Sequence, residues 1–190
     1  KPTPSIGGVG LIKDYTKMIS MDLKEIDNLV LIIGKTEGHI DQSLFARTIL
    51  DEKNGPPPEV NLFNEKNNGE SILNLIDKGY VKSAHDISLG GLLVAISKMC
   101  IKGNKGIKIN KSKNLINEIE YFFAEDQGRY LIEVNKEDLK EVTKILNKNS
   151  VHHEELGIIT QNDMIINEKT KVTIDELKSY YTNWLSKYMS

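Results

Sequence analysis

Cysteine and arginine are scarce in this chain of 190 residues, and each scarcity narrows what it can do. A single cysteine, Cys100, cannot close an internal disulfide, so a disulfide-stapled secreted scaffold is excluded. It lies in an apolar, helix-patterned stretch, where a buried, reduced thiol is expected, and this fits a cytoplasmic protein. The only arginines are Arg47 and Arg129, and the lysines are matched by Asp and Glu to leave a net charge of −2. No basic footprint for nucleic acid is therefore present. No apolar run reaches the ~20 residues that span a bilayer, and no secretory signal pattern is present, so no membrane partner is expected. The opening "KPTPSIGGVGLI" has no initiator methionine, and Pro2 and Pro4 lead straight into a buried-looking run. A fragment of a longer polypeptide is expected.

The rest of the chain alternates strand and helix signals. "SIGGVGLI" (5–12) reads as a short strand whose glycines allow close approach, without the spacing of a dinucleotide fingerprint. "LVLIIGKTEG" (29–38) carries an unbroken apolar run that fits a strand covered on both faces. "DQSLFARTIL" (41–50) opens on a capping residue and reads as a helix, stopped by the three prolines of "NGPPPEV". A second helix is expected over 61–78, with Leu62, Phe63, Ile72, Leu73, Leu75 and Ile76 as its apolar positions and Gly79 at its end. "YVKSAHDIS" reads as strand and turn, and 88–101 as the next helix. "KGIKIN", "YFFAEDQGRYLIEV" and "ELGIIT" read as strands, the second interrupted by polar residues. "KEDLKEVTKIL" and "TIDELKSYYTNWLSKYM" read as helices, the latter begun by Thr173 or Asp175. Alternation of this kind predicts an α/β or layered α+β domain.

Two stretches could carry chemistry. In "SAHDISLGG", Asp86 or Ser88 can cap a helix, and Gly90 and Gly91 bring backbone N–H groups to a helix start that attracts anions. His85 could donate to a phosphate and Asp86 could ligate magnesium. The same residues equally describe a cap, a packed histidine and glycines that permit tight packing. In "AEDQGR", Glu125, Asp126, Gln127 and Arg129 form a polar island between apolar runs, either a hairpin turn or a bend facing a ligand. Alternation puts Glu125 and Gln127 on one face without Asp126. Arg129 could pair with Asp86 or Glu125 as a structural ion pair. His152 and His153 match no metal spacing. Tyr180, Tyr181, Trp184 and Tyr188 mark a helix face that packs on the domain or on a partner.

Taken together, "PTPSIGGVGLI", "LIIGKTEG", "NGPPPEVNL", "SAHDISLGGLLVAISKM", "AEDQGRYLIEV", "LGIIT" and "TIDELKSYY" resemble, in this order, the C-terminal end of the phosphoribosylformylglycinamidine synthase family. The resemblance covers essentially the whole chain. It implies the C-terminal domain of the aminoimidazole ribonucleotide synthetase-like fold, a mixed sheet with packed helices. Residues 1–26 would be the terminal strand and exit of a preceding A-type domain, and 27–190 a B-type α/β domain.

The implied reaction is the fourth step of purine biosynthesis. Formylglycinamide ribonucleotide, glutamine and ATP give formylglycinamidine ribonucleotide, glutamate, ADP and phosphate, through an iminophosphate that ammonia displaces. The implied cofactors are Mg2+ and ATP for the full enzyme, with none certain for this stretch. The implied partners are the remaining N-terminal domains, a glutaminase subunit, a small accessory subunit and the ribonucleotide substrate.

The resemblance places no catalytic residue here. By the family's internal duplication, the positions that match substrate- and metal-contacting motifs of the other half are Glu125, Asp126, Gln127 and Asp86; the candidate substrate or auxiliary-nucleotide residues are His85, Asp86, Ser88, Gly90, Gly91, Glu125, Gln127 and Arg129, with Asp86 the metal candidate. Three residues depart from the pattern: Asp126 where Ser is usual, Ala124 where Gly is usual, and Leu89 where Asp is usual. These changes favour a structural or auxiliary nucleotide role for this copy. Other readings are a domain of a selenophosphate synthetase or aminoimidazole ribonucleotide synthetase type, or a non-catalytic partner-binding module.

Overall fold

The computed structural model describes residues 5–110 and 117–189; Pro2 and Pro4 lie outside them. Leu29–Ile33 (β1) is buried at all five positions, as an unbroken apolar run requires of a strand covered on both faces. It lies inside a seven-stranded mixed sheet. The other strands are Val81–Asp86 (β2), Gly106–Ile109 (β3), Tyr130–Val134 (β4), His153–Thr160 (β5), Asp163–Ile166 (β6) and Thr170–Thr173 (β7). Their order is β2-β4-β1-β5-β3-β6-β7, antiparallel throughout except for the parallel pair β3–β6.

Alternate strand residues feed two cores, which makes this a three-layer arrangement. Val30, Ile32, Ile107 and Leu131 pack with Leu92, Ile96 and Met99 of the helix Gly91–Gly103 (α3), and with Tyr121 and Phe122 of Glu118–Phe123 (α4). Leu29, Leu31, Ile33 and Ile132 pack on the opposite face. There they meet Ile72 and Leu75 of Leu62–Asp77 (α2) and Val142 and Leu146 of Leu139–Lys148 (α5). The short helix Leu44–Thr48 (α1) and the terminal helix Ile174–Met189 (α6) complete the set. Cys100 is buried and free, as expected.

Several expectations need correction. Residues 5–12 form no strand; they are irregular and exposed, because no strand among the described residues pairs with them. Packing on the sheet begins at Ile19, which lies against the α2-side core, followed by Ser20, which bridges to Ser83, and Leu23, which is buried. The aromatic run Tyr121–Phe123 is helical. Asn117 caps the Glu120 amide at 2.9 Å, and Glu118 and Glu120 suit a helix start, which overrides the strand preference of the aromatics. In α2, Leu62, Phe63 and Leu73 are exposed rather than core. The β6–β7 hairpin has no counterpart among the expected strands; its turn residues Asn167 and Glu168 both take positive φ.

Thr173 does begin α6. Its hydroxyl accepts from the Glu176 amide while Glu176 reaches back to the Thr173 amide, a reciprocal cap. Beyond Ile174 and Leu177 the helix leaves the core, and Tyr180, Tyr181, Trp184 and Tyr188 face outward instead of packing on the domain.

Candidate functional site

Three neighbouring strands end together. Ile33 of β1 and Asp86 of β2 both lie opposite Tyr130 of β4, and past this end of the sheet runs "AEDQG", the connection from α4 to β4. It is therefore a helix-to-strand bend, not a hairpin turn. A cleft of about 330 Å³ opens beside it, lined by Asp41, Glu65, Asp86, Ser88, Leu89, Glu125, Gln127, Arg129 and Tyr130 among others. A second hollow of about 630 Å³ adjoins it, sharing Pro58, Glu65, Asp126, Gln127 and Gly128 and reaching Lys35, His39 and His152.

Each side chain of the bend has a distinct task. One oxygen of Glu125, Oε1, accepts the Leu44 amide at 2.7 Å and the Gly90 amide at 2.8 Å, which ties the start of α1 to the start of α3. Asp126 is buried and turned the other way. It accepts the successive amides of Glu37, Gly38 and His39 at 3.0, 3.2 and 3.0 Å, folding the loop after β1 onto the bend. Gln127 is exposed at the cleft.

Arg129 is 1% exposed; it donates to the Thr36 hydroxyl and the Ala124 carbonyl and lies 3.7 Å from Asp126. Burial lowers its pKa, and the Asp126 charge opposes that. The pairing expected with Asp86 or Glu125 is thus replaced by one with Asp126. The bend curls the carboxylate back three residues to the guanidinium, a geometry that strand alternation does not anticipate.

The start of α3 also differs from expectation. Neither Asp86 nor Ser88 caps it: the capping position is Gly90, at φ +88, without a side-chain cap of its own. Glu125 supplies the acceptor from another element. Gly91, at φ +71, is required by proximity as well, since a Cβ there would lie 2.7 Å from the Ala124 carbonyl oxygen. Gly90 and Gly91 are both buried; the space beside Gly91 is taken by the Phe123–Ala124 backbone and that beside Gly90 by Val94 of α3 itself.

Asp86 stands at the end of β2. Burial pushes its carboxyl pKa up, but hydrogen bonds with Ser88 and His85 together outweigh this and hold it below the ordinary value. His85 Nδ1 lies 2.8 Å from Asp86 Oδ1, while its Nε2 is buried with no hydrogen-bond partner among the described residues.

The cleft is electronegative. Asp41, Glu65, Asp86, Glu125 and Asp126 line it, against one buried arginine. The Tyr130 hydroxyl registers this: burial raises its pKa, and the charges of Glu65 and Asp86 push the same way. Among the described residues, no group of three or more His, Cys, Asp or Glu side chains is arranged to hold a metal ion. Asp86, the carboxylate proposed for magnesium, is itself engaged by Ser88 and His85.

The structure brings Asp86, Ser88, Glu125, Gln127 and Arg129 to one cleft and sets Gly90 and Gly91 behind it. His85 is turned toward the α3 side, opposite Leu131. Sequence reasoning missed Asp41, Glu65 and the amides of 37–39; the "TEG" after β1 was a usable signal, since a turn there must direct its N–H groups somewhere. It also missed Glu133. This fully buried carboxylate accepts from Lys24 N, Glu25 N, Asn28 Nδ2 and Ser83 Oγ, and so fastens residues 24–28 to the sheet.

Comparison with known proteins adds the following. The family described as AIR synthase related protein, C-terminal domain, matches residues 25–167. A curated relative from Pelagibacter ubique, phosphoribosylformylglycinamidine synthase subunit PurL, is 67% identical over 189 residues, covering 100% of this chain and 26% of the relative. The chain thus spans about a quarter of the length of the curated relatives it matches. Among solved structures, T. maritima PurL complexed with FGAR superposes with a TM-score of 0.70 at 18% identity, over 85% of this chain and 29% of that one. T. maritima PurL complexed with ATP does so at 0.67 and 16%, over 85% and 27%. At these identities the superpositions establish the fold.

Proposed function

Because this chain belongs to the AIR synthase related protein C-terminal domain family, we propose that it forms the C-terminal part of a phosphoribosylformylglycinamidine synthase subunit. The observation that carries this reading is the 67% identity to a PurL subunit along the full chain. The activity is the ATP-dependent amidation of formylglycinamide ribonucleotide, with glutamine as nitrogen source. Magnesium and positioned donors would neutralise the transferring phosphoryl group, and that chemistry belongs to the rest of the polypeptide. The chain's own contribution is a rigid sheet end that presents the α1, α3 and bend surfaces to neighbouring domains, with residues 1–26 leading in from a preceding A-type domain. The partners are the other domains of the subunit, a glutaminase subunit and a small accessory subunit, and the setting is cytoplasmic. His85, Asp86, Ser88, Gly90, Gly91, Glu125, Gln127 and Arg129 shape this sheet end.

A chimera tests the proposal. The matching quarter of the Pelagibacter ubique subunit is replaced by this chain, and ADP formation is followed with formylglycinamide ribonucleotide, ammonia and Mg-ATP. Substrate-dependent turnover close to that of the unaltered subunit is expected, and none from the 190-residue chain alone. A folded chimera without turnover, or turnover by the isolated chain, refutes the assignment.

A further inference from the structure

We infer that the outward side of α6, built on Tyr181, Trp184 and Tyr188, is a docking surface for the part of the same polypeptide that precedes this chain, an occupant that rests on the subunit reading above. Residues three and four apart share one side of a helix, and Ile174, Leu177, Tyr181, Trp184 and Tyr188 follow that spacing without a break. Ile174 and Leu177 pack against the core beside α3. The other three continue the stripe past the edge of the domain, where they stand 49%, 62% and 80% exposed. Aromatic side chains of about 150–250 Å² each, uncovered to this extent, make a patch of roughly 300–500 Å², the size that marks an interaction surface on a single chain. Residues 177–189 contain no Asp or Glu, and the stripe offers hydroxyl and indole N–H donors. The matching surface is therefore apolar with hydrogen-bond acceptors.

Two observations choose the occupant. The residues that lead in lie along one end of the sheet, the end away from the cleft. Ser20 bridges to Ser83, the Leu23 amide donates to the Met99 carbonyl in the last turns of α3, and the Asp27 amide donates to the Ile159 carbonyl. α6 starts from that same end: the Ile174 amide donates to the Asn162 carbonyl, and Lys178 donates to Asn104, which closes α3. A domain tethered through the lead-in is thus held at high effective concentration beside α6. The second observation is extent. The family model ends at residue 167, ahead of α6, whereas the Pelagibacter ubique subunit matches 100% of this chain, which is 26% of its own length. α6 goes with the long subunit, and most of that subunit lies outside this chain.

The test is hydrogen exchange at the α6 amides of residues 178–189, measured on the 190-residue chain and on the chimera described above, with turnover read on the same chimera. In the chain alone these amides should exchange fast at low and at high concentration, and in the chimera roughly tenfold slower or more. Protection already present in the chain alone overturns the inference, and its growth with concentration identifies a second copy as the occupant. Protection in the chimera that appears only on adding a glutaminase or accessory subunit overturns it too. A chimera that turns over with α6 unprotected overturns the inference and leaves the subunit assignment standing. Protection without turnover does the reverse, and the lack of both refutes both. Should the chimera fail to fold, the Pelagibacter ubique subunit without the stretch aligned to residues 179–190 decides. That truncation keeps the positions of Ile174 and Leu177, so a melting temperature below the parent's supports the docking, and an unchanged one overturns it.

Discussion

Replacing Asp126 by alanine should be among the most damaging single changes in this chain. The side chain is 6% exposed and accepts three backbone amides, from Glu37, Gly38 and His39. Hydrogen bonds to a charged group contribute roughly 1.5–3 kcal/mol each, so about 4.5–9 kcal/mol of gross interaction disappears. Relief from the several kcal/mol needed to desolvate the carboxylate offsets part of this. What remains is a loop with three unsatisfied amides beside Arg129, whose side chain has no exposed surface and has lost its counter-charge. Breaking a buried pair from one side costs about 3–5 kcal/mol, and we take that as the net value. For a chain of this size each kcal/mol moves the midpoint by about 2–4 °C, which gives a fall of roughly 6–20 °C.

D126N should be milder, by about 1–3 kcal/mol relative to the parent. Its carbonyl can keep the Glu37 and Gly38 bonds while its NH2 opposes the His39 amide. Urea unfolding followed by far-UV circular dichroism measures all three proteins. An alanine variant within about 1 kcal/mol of the parent at unchanged m-value would mean that the loop has other acceptors, and the reasoning fails.

Other outcomes follow from the same structure. Burial pushes the Cys100 thiol up to about 12 from 9.0, so a thiol reagent at pH 8 should label it only after denaturation. Between pH 9 and 12 the unfolded chain loses this proton and the folded chain keeps it. Stability should therefore fall as pH rises, by about 1.4 kcal/mol per pH unit from this group, a slope that C100A removes in alkaline melts. D86A should leave α3 intact, because Glu125 rather than Asp86 serves its start; faster amide hydrogen exchange confined to the first turn of α3 in D86A would restore the cap assignment. The depressed pKa of Asp86 stabilises the fold above its ordinary value near 3.8 and ceases to do so as pH falls through the folded value, so D86N should shallow the acid limb of a pH–stability curve. G91A should cost about 2 kcal/mol or more in urea titrations, from a positive φ and a Cβ 2.7 Å from the Ala124 carbonyl oxygen.

The elements with strong local signals were legible. An uninterrupted run such as Leu29–Ile33 has few options but a strand covered on both faces, and α2 announces itself through its Asn61 cap and Gly79 stop. Tyr121–Phe123 is helical despite its aromatic content because the Asn117 cap and the acidic first turn decide the local structure. Residues 5–12 misled because a strand needs a neighbour, and apolar content cannot say whether one is at hand. The site was half legible. Its two motifs, "SAHDISLGG" and "AEDQGR", stand out in the sequence as polar stretches beside apolar ones, and the fold brings residues of both to one cleft. Their connection through Glu125 Oε1 links residues 35 positions apart, and no periodicity encodes that.

Composition and order along the chain were enough to indicate a layered α/β domain, the positions of most helices and strands, and kinship with the AIR synthase related C-terminal domain family, because these depend on local patterning and on motif order. Which carboxylate answers which backbone amide was settled only by folding. Asp126 and Glu125 are adjacent in the chain, yet one holds the loop after β1 and the other joins two helix starts. The reason is physical: a buried amide must find an acceptor within about 3 Å, and only the three-dimensional meeting of α1, α3 and the bend decides which oxygen is near enough.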